Sequence, residues 1–281
     1  MKRTMKMKLE SKSFRNLRNM GAALILLLFW GCGGTQPKTL EINVWGETYV
    51  EDKIPKGDVE DGWDITFDRF LIVLGNVNLT NKSGQTGSVQ SSMKVFDLKK
   101  KGAQGYSNSS TPAGSWDALS YEVSSADTKT ISANASEADL AFMKKNGFSI
   151  YLEGKATKVN QTKTFRWGFK TQTVYKNCEL KALGGEKSTV QLTIHADHFF
   201  YDDLESEDVK LRFDAIAKAD KDKDGQVTLK ELDAFGGKDF AGLSQYGVGR
   251  YSSVTDLGAF IKQLSRTLGH IDGEGHCEIG G

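Results

Sequence analysis

The sequence predicts a mainly β protein with some α: an antiparallel β-sandwich followed by a small C-terminal helical subdomain. Three observations lead there. Between residue 39 and about residue 201, β-branched and aromatic runs alternate with short polar turns. Beyond residue 201 the apolar spacing lengthens to that of helices. Within that second part, residues 220–231 place oxygen-bearing side chains at a fixed interval. A closed barrel is the alternative arrangement for the same strands.

The elements follow in order. Residues 39–50 (TLEINVWGETYV) put Leu40, Ile42 and Val44 on one face of a strand. Residues 64–79 (DITFDRFLIVLGNVNL) read as a longer strand, with Gly75 marking a bulge or turn. Shorter strands are expected over 94–98, 116–123, 148–156, 164–171 and 190–201. The tracts 82–91 and 102–115 are dense in Gly, Ser and Asn and read as turns. One helix interrupts the strands: Ser136 can cap it, Asp139 sits three residues on, and Gly147 follows its end. Helical spacing then recurs over 207–219 and 255–268, with a boundary near 202–206, where Asp202 and Asp203 read as turn residues. The domain reading is 1–31, 32–38, 39–203 and 204–281.

The start of the chain carries a different signal. Residues 1–31 hold seven basic side chains and one acid, and residues 21–30 (GAALILLLFW) form an apolar run too short to span a bilayer comfortably. Gly31, Cys32 and a Gly-rich tether to residue 38 follow, and the whole resembles the lipobox of bacterial lipoproteins. That resemblance implies cleavage before Cys32, lipidation of its sulfur, and a place in the bacterial cell envelope at the outer membrane. An ordinary signal peptide or an uncleaved anchor is the plainer alternative. Without residues 1–31 the chain keeps 30 basic against 35 acidic side chains, a net charge of −5. A mildly acidic body argues against nucleic acid as a partner; the expected partner is a membrane, through the lipid. Of the remaining cysteines, Cys178 and Cys277 are expected to pair in an oxidising compartment, closing a loop of about a hundred residues. Two free thiols, or a metal ligand beside His276, are the alternatives.

Residues 220–231 (DKDKDGQVTLKE) resemble the EF-hand calcium loop at each diagnostic position. Asp220, Asp222 and Asp224 stand at positions one, three and five, Gly225 at the sharp turn, and Gln226 offers a carbonyl. Thr228 stands at nine, Glu231 closes the sphere at twelve, and Ca2+ is the expected cofactor. A solvated charge run before a helix is the plainer reading. EF-hands work in pairs, so a degenerate partner is expected in residues 246–254, pairing with Val227. The histidines fall in two tracts, 194–204 (His195, Asp197, His198) and 269–277 (His270, His276). Such side chains suit zinc or copper if they converge; otherwise they are hydrogen-bonded histidines at a sheet edge. Finally, the strings RFLIVLGNVNL (69–79), GSWDALSYEV (114–123) and RWGF (166–169) resemble the sandwich of methanobactin-associated, copper-binding periplasmic proteins. The resemblance implies the fold and carries over no ligand.

No Gly-rich phosphate loop, Gly-x-Ser-x-Gly elbow or His-Glu-x-x-His is present. The expected function is therefore a non-catalytic envelope lipoprotein that binds calcium, with transition-metal binding through the histidines as the alternative. The tryptophans of the body are expected in its core.

Overall fold

The computed structural model describes residues 39–280. The expected signal peptide, the lipidation of Cys32 and the tether lie outside the described residues. The chain begins with β1 (Thr39–Trp45), α1 (Glu47–Glu51), β2 (Asp64–Thr80), β3 (Thr86–Gln90), β4 (Lys94–Asp97) and β5 (Gln104–Ser110). It continues through β6 (Ala118–Val123), β7 (Ile131–Ser132), α2 (Glu137–Asn146), β8 (Ile150–Lys158), β9 (Gln161–Phe169), β10 (Thr173–Glu179) and β11 (Lys187–Ile194). A 3-10 turn (Ala196–Phe200) leads into α3 (Asp214–Lys218), β12 (Gln226–Thr228), α4 (Leu229–Ala234), α5 (Lys238–Ala241), α6 (Leu257–Leu264), β13 (Gly269–Ile271) and β14 (Glu278–Gly280).

The strands make two sheets that form a sandwich-like body. The smaller has the order β13-β11-β1-β5, and the larger β12-β9-β8-β2-β6-β10-β14, with β3 and β4 on β2 and β7 on β4. Among the described residues no closed barrel forms. The sheets are mixed rather than purely antiparallel, because β1 runs parallel to β11, β12 to β9 and β7 to β4. The expected inward face of β1 is met: Leu40, Ile42 and Val44 are fully buried. Around Gly75 and Asn76 the register of β2 against β6 shifts, giving the expected bulge. Ser136 caps α2 by accepting from the Asp139 amide, and Gly147 ends it in the left-handed conformation.

Aromatic side chains fill the space between the sheets. Phe165 lies 4.9 Å from Trp167 and 6.0 Å from Phe67, and Phe169 stacks on Phe199 at 5.3 Å. Trp63 packs on Phe213 and donates to Asp214 Oδ1 at 2.7 Å. Each such buried ring contributes on the order of 2–3 kcal/mol of transfer free energy. The same core takes in Leu232, Phe235, Leu257, Phe260 and Ile261, so the residues after 203 are packed on the sandwich rather than apart from it.

The helices after residue 201 are shorter than their apolar spacing suggests. Residues 207–213 are drawn out, because Leu211 bridges to both Val59 and Tyr201. The helix starts only where Asp61 Oδ2 accepts the amides of Phe213 and Asp214, at 2.8 and 2.7 Å. The expected partner loop for Val227 is also corrected. β12 pairs with β9 of the sandwich (Val227 opposite Phe165), not with residues 246–254. A sheet edge with free backbone groups was available, and Trp167 Nε1 adds a bond to the Val227 carbonyl at 3.0 Å.

Candidate metal centre

The strand expected over 190–201 ends at Ile194. His195 then opens the 3-10 turn, in which residues three apart eclipse one another. His195 and His198 therefore sit side by side, with ring centroids 5.4 Å apart, instead of on opposite faces of a strand. Consecutive Phe199 and Phe200 explain the change. Both are buried in the core, 0% and 1% exposed, and a half-buried strand would have turned one of them outward.

The tail supplies the third imidazole. β13 pairs with β11, placing His270 opposite Thr193 and Gly269 opposite Ile194. The His270 ring lies 4.3 Å from that of His195 and 5.2 Å from that of His198. Below it Tyr121 and Tyr175 stack at 4.8 Å, and the Tyr121 hydroxyl donates to the His270 carbonyl at 3.2 Å. Only glycine fits at 269: a Cβ there would lie 2.6 Å from the Tyr175 ring and would run into the Tyr121 hydroxyl. Cys277 is bonded to Cys178, as expected, which excludes both the free-thiol and the ligand alternatives for that pair. The bond and the β10–β14 pairing hold the end of the tail, and His276 stands exposed 5.5 Å from the His270 ring.

Carboxylates complete the cluster. One ligand atom from each of His195, His270 and Glu274 lies within 4.8 Å of the others, and the same holds for His195, Asp197 and His198. Glu47 Oε2 lies 3.6 Å from His195 Nδ1, on a residue whose backbone is left-handed (φ 61°). Asp197 accepts from the Tyr201 hydroxyl at 3.2 Å. Burial raises the Asp197 and Glu47 carboxyls above their ordinary range, partly offset by His195. Burial, with the neighbouring histidines, lowers His198 well below the usual imidazole value and brings His270 down to about 4. Both rings are therefore neutral at neutral pH. His198 Nδ1 is 2.9 Å from Thr267 Oγ1, and His195 Nε2 is 3.3 Å from the Gly273 carbonyl. His270 Nδ1 is buried and has no hydrogen-bond partner. A 640 Å³ cavity lined by His198, Tyr201, His270, Glu274 and His276 opens beside the cluster.

Glu47, Glu274, Tyr201 and Thr267 join this centre without having been singled out in the sequence. Glu274 was findable, since it lies between two histidines in the tail. Glu47 was not, because only the pairing of β1 with β11 brings it to His195.

Residues 220–231 form a second cluster. One carboxylate oxygen each from Asp220, Asp222 and Asp224 lies within 4.8 Å of the others. Gly225, at φ 87°, turns the chain so that its amide donates to Asp220 Oδ2 at 3.1 Å. The Asp224 and Gln226 amides donate to Asp222 and Asp224 at 3.1 and 2.6 Å. Thr228 caps α4 in a capping box: Glu231 Oε2 accepts from its amide and its hydroxyl, both at 2.8 Å. Asp220 Oδ1 and Glu231 Oε1 are both buried without a hydrogen-bond partner.

No family model matches this chain, and no curated protein matches it. Among solved structures, MbnP from Methylosinus trichosporium is similar, with a TM-score of 0.38 and 9% identity, over 59% of this chain and 77% of that one. A likeness this distant brings no function to this chain.

Proposed function

We propose that the protein binds a transition-metal ion through His195, His198 and His270, with Asp197 or Glu274 as a carboxylate ligand. The observation that carries this reading is the buried, unpartnered Nδ1 of His270, on a ring 4.3 and 5.2 Å from two more buried imidazoles. A buried polar nitrogen without a partner costs about 1–3 kcal/mol, which a coordinate bond would recover. Neutral imidazoles with one or two carboxylates suit zinc or copper. Metal–nitrogen bonds of about 2.0–2.1 Å allow ligand atoms up to about 4.2 Å apart, close to the 4.8 Å within which His195 gathers His270 and Glu274 on one side and Asp197 and His198 on the other. Thr267 would fix the ring of His198 from behind, as outer hydrogen bonds do in metal sites.

The test is elemental analysis of full-length protein purified without chelators, followed by titration with Zn2+ and Cu2+. One ion per chain is expected, with His270→Ala and His195→Ala each lowering affinity at least tenfold. A wild-type chain that binds neither ion at one equivalent sinks the proposal.

A second reading concerns the 220–231 loop and rests on its own observation, the unpartnered buried oxygens of Asp220 and Glu231. Both belong to the set that would coordinate calcium in a loop of this spacing: Asp220, Asp222, Asp224, Gln226, Thr228 and Glu231. The ion's role there is structural, since the loop is paired into the sandwich edge. Saturation at about a hundred times the dissociation constant adds roughly 2.7 kcal/mol of stability. Calcium is expected to raise the melting temperature by several degrees. Asp220→Ala and Glu231→Ala should abolish the rise; an unchanged wild-type melting curve refutes this reading.

A non-catalytic role in the bacterial envelope is part of the proposal. The Cys178–Cys277 bond is of a kind that persists outside the reducing cytosol, in keeping with an exported, lipid-anchored chain. Among the described residues no helix is long and apolar enough to cross a membrane.

A further inference from the structure

The 220–231 loop has an unusual neighbour. In place of a second calcium loop, its short strand has β9 for a partner, with Thr164 opposite Gln226 and the Thr164 amide donating to the Gly225 carbonyl at 2.8 Å. That pairing lays Lys163, the preceding residue of β9, against the start of the loop. Its ammonium forms an ion pair with Asp220 Oδ2, the carboxylate at the first coordinating position. The Asp220 side chain is fully buried at this contact and that of Lys163 is 20% exposed. Lys221, by contrast, points outward to Asp239, at 2.9 Å.

The loop offers more than a group of acids. Asp220 is 6% exposed as a residue, and its other oxygen, Oδ1, is buried with no hydrogen bond. One oxygen of this carboxylate is thus neutralised by the lysine while the other is left without a partner. A divalent cation among Asp220, Asp222 and Asp224 would meet the Lys163 ammonium at close range. Two cations a few ångströms apart repel strongly where water is scarce. Lys163, on a flexible four-carbon stem, is the group free to leave.

We propose that Lys163 is a built-in competitor for the calcium loop, occupying the Asp220 corner until calcium displaces it. The inference rests on the calcium reading of the loop. The lysine keeps the loop folded when calcium is scarce, and it weakens the site so that the site fills only where calcium is plentiful. The carboxylates of Asp222, Asp224 and Glu231 are not paired with Lys163 and remain to hold the ion.

The test is calorimetric titration of Ca2+ into the full chain, for wild type, Lys163→Met, Lys163→Arg and Asp220→Ala. Lys163→Met is expected to bind calcium about tenfold more tightly than wild type, the equivalent of removing one competing ion pair. Lys163→Arg should stay near wild type, and Asp220→Ala should not bind. Equal affinities for wild type and Lys163→Met overturn the role of Lys163 and leave the calcium reading standing. No binding by either overturns both. If Lys163→Met fails to fold, wild-type protein decides through amine labelling. Saturating calcium should raise the labelling of Lys163 several-fold, and labelling indifferent to calcium refutes the proposal.

Discussion

Arg69 reaches from β2 to Asp139 in the first turn of α2, and lies 3.5 Å from Glu153 of β8. Its guanidinium also covers the rings of Phe142 and Tyr151, at 4.6 and 5.1 Å. Burial pushes the Asp139 carboxyl up, but the Ser136 hydroxyl at 2.6 Å and the Arg69 guanidinium outweigh it, and the group sits below its ordinary value of 3.8. A carboxyl lowered in the folded state contributes stability that is complete above its unfolded value and is lost as the pH falls through its folded one. Asp139→Asn should therefore cost about 1 kcal/mol at pH 7. The gap to wild type should close as the pH drops below the carboxylate range. Urea unfolding at pH 7 and pH 3 checks this, and a gap independent of pH refutes it. The capping half of this arrangement was legible in the sequence, because a cap is local. Arg69 was not, since it lies seventy residues away along the chain.

At the scale of elements, local pattern and tertiary demand part company in the segment after β11. Alternation extended the strand to residue 201, yet the need to bury adjacent Phe199 and Phe200 bent it into a 3-10 turn. The His-x-x-His spacing of His195 and His198 is a signal for that turn, read through its three-residue period. β5 shows the opposite error. Its Gly, Ser and Asn content reads as a turn, and only Tyr106 is buried along it, but the edge of β1 recruits it through a ladder of backbone pairs. Composition cannot reveal a strand whose stabilisation comes from its partner. The 220–231 loop was legible residue by residue because its spacing is fixed within twelve positions. Its partner was misassigned because any sheet edge can supply the same backbone bonds.

For the molecule as a whole, the Cys178–Cys277 bond closes a loop with a sequence separation of 99 residues and holds β14 on β10. Loop-closure entropy for that length corresponds to about 4.7 kcal/mol, and measured losses of native disulfides run at about 2–5 kcal/mol. The double variant Cys178→Ser/Cys277→Ser should lose stability in that range by denaturant unfolding. It should also bind Zn2+ several-fold more weakly, because Glu274 and His276 lie on the tail that the bond secures. Unchanged stability and unchanged zinc affinity would refute this account of the bond.

The sequence by itself determined the strand-rich body, the cap and stop of α2, the cysteine pair and the spacing of the 220–231 loop. Each depends on residues close along the chain or, for the cysteines, on a choice among three. The tertiary structure alone decided that three histidines from two distant tracts meet, that Glu47 joins them from the start of α1, and that Lys163 of β9 stands at Asp220. These are contacts between strands whose order in a sheet follows from the packing of the whole core. No local period or spacing encodes that order.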